Sequence, residues 1–211
     1  MMNYDDLSFD PLIKFALYKL EGELNNQRET PDPDFSDITS HQTEVLKRYQ
    51  PIFSLSTIPS LGKEEFESFL VYKNNHHWDG LQRIKGRITR DMDLLREALS
   101  ILLDESRPIE KRLNELRPEK CFGGESMVPF LGMPVLTAIL LVAFPEKYGV
   151  WNNTSAAGLK LVELWDKPWD KQSAGVTYVQ MNKLYLYFAE ELKIDLWTLD
   201  ALWWTLKKGA K

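Results

Sequence analysis

The chain has 211 residues, of which 44% are hydrophobic and 27% are charged, a balance typical of one globular domain that excludes global disorder. A single cysteine, Cys121, excludes an internal disulfide and a four-cysteine zinc or iron–sulfur site. We therefore expect a cytoplasmic protein without a cofactor or a bound metal. The amino terminus lacks signal-peptide features, and the most apolar run, 135–144, is too short to span a membrane. The net charge of −5 disfavours nucleic acid as a partner, although a whole-chain sum hides any local basic cluster.

Apolar residues recur at helical spacing along the chain and strand alternation does not persist, so we predict an all-α fold. Helices are predicted over 9–24, from a cap at Asp37 or Thr39 to about 49, over 62–72, from a cap at Thr89 to about 102, over 108–118, after a turn at 130–134, and over 154–165, 176–192 and 196–206. We divide this single domain into an amino-terminal helical extension, 1–60, packed on a core formed by 61–211. The last helix carries Trp197, Trp203 and Trp204, which we assign to the core or to packing against the preceding helices.

A basic cluster lies between residues 83 and 96. This stretch contains five basic residues and only two acidic ones. The basic residues are Arg83, Lys85, Arg87, Arg90 and Arg96. Such a cluster binds phosphate well, and we predict that Arg83, Lys85 and Arg87 contact DNA. A solvated surface loop is the alternative interpretation.

Gly132 lies in a turn that runs into an apolar helix, 133–144. Glycine allows a phosphate to approach the turn backbone, and Pro134 suits the first helical turn. The amides of this turn and the helix dipole form a generic phosphate site, which predicts contacts from Gly132, Met133 and Val135. The alternative is a helix start without a ligand.

The stretch 131–152 resembles the helix-hairpin-helix and following loop of the DNA glycosylase superfamily with the endonuclease III-like fold. Gly132 matches the hairpin glycine, 143–144 match the helix end, and 148–151 match the loop, so that Asn152 stands where the family carries its catalytic aspartate. The resemblance implies a glycosylase-like helical fold and a monomer that binds double-stranded DNA. It also implies that a damaged or modified base is flipped into a pocket.

A second, looser similarity lies in the polar patch 74–80. Family members place paired Gln or Asn residues at the end of an early helix, where they enter the duplex or support the flipped base. The pair Asn74 and Asn75 occupies such a position, and the pocket would be lined by this pair with Trp78 and Trp151.

Two departures from the family bear on catalysis. Pro134 replaces the lysine nucleophile of bifunctional members, and Asn152 cannot supply the negative charge of the aspartate, so it could only orient water or the sugar. The first choice for the missing carboxylate is Asp79, with Glu125 as a further possibility. An alternative for Asp79 is a plain role in the Asp79-Gly80 turn.

Other side chains of the polar patch could take part. Lys73 could act as an amine nucleophile, or simply complement a helix dipole. His76 or His77 could protonate the leaving base.

We therefore predict a DNA N-glycosylase that excises a damaged or modified base. A hypermodified base of phage DNA, in a defence role, is one suggestion for the substrate. The first alternative is a non-catalytic reader of modified or distorted DNA, favoured by Asn152. The second is a helical protein-interaction module, favoured by the acidic net charge.

Overall fold

The computed structural model describes residues 10–117, 126–165, 169 and 171–210, which form α-helices and short 3₁₀ turns without any strand. The all-α prediction is confirmed. In chain order the α-helices are α1 (Pro11–Glu29), α2 (Pro33–Ser40), α3 (Gln42–Tyr49), α4 (Lys63–Phe69), α5 (Tyr72–Asn75), α6 (Lys85–Ile88), α7 (Met92–Leu103), α8 (Ile109–Leu116), α9 (Met133–Ala143), α10 (Asn153–Leu161), α11 (Ala174–Leu192) and α12 (Leu196–Gly209). The 3₁₀ helices are Ile58–Ser60 and Asp79–Ile84.

Six of the twelve described α-helices directly follow a residue whose side chain accepts a hydrogen bond from a backbone amide of the first turn, and two predicted caps are wrong. The predicted helix capped by Asp37 or Thr39 is two short helices, because Pro33 begins α2 and Asp32 caps it by accepting a bond from the Asp34 amide at 2.9 Å. Thr89 does not cap α7: its buried hydroxyl donates to Glu67 Oε1. Asp91 provides that cap instead.

Helix α9 is the centre of the fold. Every residue from 135 to 143 is buried, and the helix packs against α3 and α7. A helix that is apolar on all sides must be surrounded by others, which is the arrangement seen. Only its first turn comes near the surface, where Gly132 is half-buried and Pro134 is exposed. No described helix combines the length and the hydropathy that crossing a bilayer requires.

The two ends of the chain meet at α12. This helix contacts α1 and α2 from the amino-terminal part and α10 and α11 from the carboxy-terminal part. Two of its tryptophans, Trp197 and Trp203, are buried as predicted, whereas Trp204 is 39% exposed. Neighbouring helical residues point about 100° apart, so Trp203 and Trp204 cannot share one face. Residues near positions 34 and 204 therefore lie on a common surface.

Close packing of α8 against α11 depends on a glycine. A Cβ added at Gly175 would lie 2.2 Å from the backbone oxygen of Glu110 and 2.8 Å from Asn114 Oδ1. We expect Gly175→Ala to lower the free energy of unfolding by about 1–3 kcal/mol, because the backbone must move to relieve the overlap. Gly22→Ala is the matched control: nothing lies within 4 Å of its Cβ position in α1, and it should raise stability by about 0.5–1 kcal/mol. Urea unfolding curves of both variants test the pair; equal midpoints would contradict it.

Candidate functional site

A cavity of about 610 Å³ opens where the first turn of α9, the start of α10 and the 77–84 segment converge. Its walls combine aromatic, carboxylate and amide groups; the lining residues are Asp34, Ile38, Tyr72, His77, Trp78, Asp79, Gly80, Leu81, Ile84, Phe130, Gly132, Pro134, Val135, Asn152, Asn153, Thr154 and Trp204. The volume lies in the range of small-molecule sites. Three segments that are far apart in the sequence thus share one pocket.

The turn before α9 places Phe130 at the cavity. Phe130 has a φ of 69°, a left-handed conformation that is rare outside glycine, and its ring is 49% exposed. Gly132 itself is extended, with φ −89°, so the turn does not need glycine for its backbone conformation. A Cβ at Gly132 would instead stand 3.3 Å from Arg117 Nη1, and the missing side chain leaves this space to the guanidinium.

Two lining residues, His77 and Trp78, contact a buried carboxylate, Asp200, that sequence reasoning missed. The side chains of His77 and Asp200 are 3% and 4% exposed, and His77 Nε2 lies 3.2 Å from Asp200 Oδ2. The Trp78 Nε1–H donates to the same carboxylate oxygen at 3.0 Å. His77 stacks on Trp78 with ring centroids 4.6 Å apart, and Trp197 packs against both rings.

Burial acts in opposite directions on the two ionisable groups, His77 and Asp200. Desolvation raises the pKa of Asp200 to about 7, against a smaller lowering by the Trp78 hydrogen bond. Desolvation lowers the pKa of His77 to about 3, so the imidazolium needed for a general acid is disfavoured at neutral pH. The predicted role of His77 as a proton donor to the base is therefore not what its surroundings favour.

Asn75 holds the backbone of His77 and Trp78 in place. Its side chain is fully buried, and its Oδ1 accepts hydrogen bonds from the amides of His77 and Trp78 at 2.8 and 2.7 Å. Its Nδ2 donates to the Phe69 carbonyl at 2.9 Å. Asn75 is thus a positioning residue, and its buried, hydrogen-bonded side chain does not favour the predicted contact with a base.

Asn152 lies at the cavity wall as the N-cap of α10. Its Oδ1 accepts hydrogen bonds from the Thr154 and Ser155 amides at 2.7 and 3.0 Å, and the Ser155 hydroxyl accepts one from the Asn152 amide. Asp79 also lines the cavity, as an exposed carboxylate whose Oδ1 accepts a hydrogen bond from Gln82 Nε2 at 2.9 Å. Among the predicted catalytic residues, Asp79 is the carboxylate that borders the cavity.

Three basic side chains lie close to residues that line the cavity. The Arg87 guanidinium sits 4.9 Å from the Phe130 ring centroid, and Lys207 Nζ lies 3.4 Å from Thr154 Oγ1. With Arg117 beside Gly132, these cations come from separate parts of the chain. Three basic side chains therefore lie next to lining residues, whereas the acidic residues of the lining itself are Asp34 and Asp79.

Several predicted site residues lie away from the cavity lining. Asn74 donates to the carbonyl and hydroxyl of Ser68, and Lys73 is exposed on α5. Trp151 is buried and gives its backbone amide to Thr137 Oγ1, and Met133 is buried at the start of α9.

The predicted DNA contacts differ in their relation to the cavity. Arg83 and Lys85 are exposed but do not line the cavity, whereas the buried side chain of Val135 forms part of its wall. The predicted phosphate contact through backbone amides is disfavoured at two positions, because the Gly132 and Val135 amides already donate to the Phe130 and Gly132 carbonyls at 2.9 and 3.0 Å. Glu125 lies outside the described residues.

No protein-family model, curated protein or solved structure matches this chain.

Two residues in or next to the cavity lining could have been found in the sequence. Asp200 is an acidic residue on an otherwise apolar helix face, three residues after Trp197, and such a residue requires a buried partner. Trp204 follows Trp203 directly, so one of the two had to leave the core face. Asp34 and Tyr72 gave no comparable signal, because both reach the cavity only through tertiary packing: Asp34 where α2 packs on α12, and Tyr72 where its hydroxyl approaches Asp37 of α2.

The buried carboxyl of Asp200 predicts a pH-dependent stability. A pKa raised from 3.8 to about 7 stabilises the folded state below about pH 4, and this contribution is lost as the pH rises toward 7. Asp200→Asn keeps an acceptor for Trp78 but removes the titration. Its stability relative to the wild type should therefore rise between pH 4 and 7, by at most about 1.4 kcal/mol per pH unit. Denaturant unfolding at several pH values measures this, with Asp93→Asn, an exposed site, as the control; parallel wild-type and Asp200→Asn profiles would contradict it.

Proposed function

We propose that this protein binds double-stranded DNA, takes an extruded base into the cavity and hydrolyses its N-glycosidic bond, in the manner of a divergent helix-hairpin-helix DNA glycosylase. One observation carries the proposal. The turn at Gly132, the patch His77-Trp78-Asp79 and Asn152, which stands at the family's aspartate position, border one cavity, and this convergence supports the proposal.

Three cations near the lining support binding of the phosphate backbone. Arg87, Lys207 and Arg117 lie next to lining residues, close to the first turn of α9, where the positive end of the helix dipole favours an anion. Such contacts fix the register of a duplex without reading its sequence. The left-handed Phe130 presents an exposed ring at the cavity, and a ring there can stack on a base or fill the space that an extruded base leaves.

The interior suits a flat heterocycle with hydrogen-bond donors. Tyr72, Trp78 and Trp204 provide aromatic surface, and the carboxylates of Asp34 and Asp79 accept bonds from amino or imino groups. A cavity of about 610 Å³ has room for a base with a substituent. In this mechanism Asp79 stabilises the positive charge that develops on the sugar as the bond breaks, and a water completes the hydrolysis.

A non-catalytic reader of modified DNA is the second candidate, and Asn152 favours it. The Asn152 oxygen is committed to two backbone amides of α10, and an amide carries no negative charge. If Asp79 does not supply the charge, the same cavity would bind an extruded base without cleaving its bond.

One assay separates these functions. Duplexes with normal, alkylated, oxidised or hypermodified bases are incubated with the protein and then cleaved with alkali at abasic sites. Strand breaks at a modified position support the glycosylase, and salt-sensitive binding without breaks supports the reader. If no duplex binds at low salt, both proposals are wrong and a protein-interaction module is left.

A further inference from the structure

A cluster of one carboxylate and two imidazoles lies behind the Tyr72 wall of the cavity. Asp37 of α2, His41 at the start of α3 and His76 after α5 place one ligand atom each within 4.8 Å of one another. The Asp37 carboxylate is the hub, since His41 Nδ1 lies 3.2 Å from Oδ1 and His76 Nδ1 lies 3.4 Å from Oδ2. We propose that these three side chains bind a divalent transition-metal ion of the Zn²⁺ class.

The two distances from histidine to Asp37, each to a different carboxylate oxygen, are close to those between ligands around an ion. Ligand atoms about 2.0–2.1 Å from a tetrahedral Zn²⁺ are roughly 3.4 Å apart. As hydrogen bonds, contacts of 3.2 and 3.4 Å to a carboxylate are long, because charge-assisted bonds are usually about 2.7–2.9 Å. The Tyr72 hydroxyl also approaches Asp37 Oδ2 only to 3.4 Å. An ion at the centre would replace several weak contacts by short bonds.

The chemistry of the ligands sets the metal class. Two imidazole nitrogens and one carboxylate oxygen suit Zn²⁺, Co²⁺ or Ni²⁺ better than the oxygen-seeking Mg²⁺ or Ca²⁺. The side chains of Asp37, His41 and His76 are 37%, 33% and 22% exposed, so an ion can enter and water can complete its coordination.

The backbone conformation brings the three side chains of this cluster together. Asp37 and His41 are four residues apart and face the same side. His76 has a φ of 52°, a left-handed conformation that costs free energy and is found where the position of a side chain matters. Its ring lies parallel to that of His41, with centroids 3.7 Å apart.

Ion binding requires two local changes. Both rings must turn about χ2, a broad torsion in histidine, so that each lone pair points at the ion. His41 Nδ1 must also give up its hydrogen bond to the Asp37 carbonyl, 2.8 Å away, and its contact with Ser40 Oγ at 3.4 Å. A neutral His41 then carries its proton on Nε2, so that Nδ1 offers its lone pair to the ion.

Calorimetric titration of Zn²⁺ into the EDTA-treated full chain tests this inference, which does not rest on the proposed DNA chemistry. We expect one saturable site, a higher unfolding temperature with Zn²⁺, and visible absorption of a four- or five-coordinate complex with Co²⁺. His41→Ala and His76→Asn should weaken Zn²⁺ binding at least about tenfold. Asparagine is chosen at position 76 because it tolerates the left-handed backbone.

Glu44→Gln, an exposed residue of α3 outside the cluster, is the control and should bind Zn²⁺ as the wild type does. Thermal unfolding without metal shows whether His41→Ala and His76→Asn fold. If either fails to fold, Asp37→Asn is used in its place to test Zn²⁺ binding. The inference is overturned if the wild type shows no saturable binding, or if folded variants bind Zn²⁺ with unchanged affinity.

Discussion

Replacing Asp79 by asparagine should reduce base release by about 100-fold or more while leaving the affinity for DNA unchanged or slightly higher. The carboxylate borders the cavity, and the change keeps its shape and its acceptor for Gln82 while removing the charge that would stabilise the cationic sugar. Because Asp79 is exposed, the fold should be unaffected. Single-turnover alkali-cleavage kinetics measure the rate, and fluorescence anisotropy measures binding.

Two other aspartates make this test specific. Asp93→Asn makes the same change at a side chain that is 95% exposed on α7, and base release should not change. Asp34→Asn alters the second carboxylate of the cavity, which accepts bonds from Lys208 and Trp204. If Asp34→Asn abolishes turnover while Asp79→Asn does not, the catalytic carboxylate is Asp34 and our assignment of Asp79 is wrong.

Filling the cavity from Gly80 should abolish base release without disturbing the fold. Gly80 lines the cavity, and nothing lies within 4 Å of a Cβ built at this position. A tryptophan placed there can enter the space meant for the base. We expect Gly80→Trp to lose at least about 99% of turnover, which corresponds to roughly 2.7 kcal/mol, and to keep its unfolding midpoint and its salt-dependent binding to unmodified duplex.

The matched control is Gly86→Trp. This glycine of α6 also has no atom within 4 Å of its Cβ position, but it does not line the cavity. Full activity in Gly80→Trp would mean that the base is bound elsewhere. Loss of activity in both variants would show that the effect does not depend on the cavity.

The sequence predicted the helical class and most of the larger helices, because the spacing of apolar residues depends on burial alone. The end of α11 was predicted at Leu192, where the structure has it, and α12 begins at Leu196 as expected. Short helices were harder: the start of α2 depends on Asp32 and Pro33, which resemble an ordinary proline loop until the partners of their backbone groups are known.

The candidate site was predictable only where the chemistry is local. His77, Trp78 and Asp79 lie together in the sequence and together line the cavity. Asn75 is their neighbour, but its amide turns into the core to hold two backbone amides, a role that residue type alone cannot distinguish from base contact. The His77–Asp200 contact joins residues far apart in the chain and depends on how α12 packs, which no pattern of residues encodes.

The entry of an extruded base into the cavity can be measured by photocrosslinking. A duplex carries 5-iodouracil in a mismatch, where extrusion costs less because pairing is weak. After irradiation, mass spectrometry locates the crosslinked residues. We predict crosslinks to aromatic residues that line the cavity, namely Tyr72, Trp78, Phe130 or Trp204, and their loss in Gly80→Trp. A bound duplex that crosslinks only to residues outside the cavity, or a protein that binds no duplex at low salt, would contradict the proposed function.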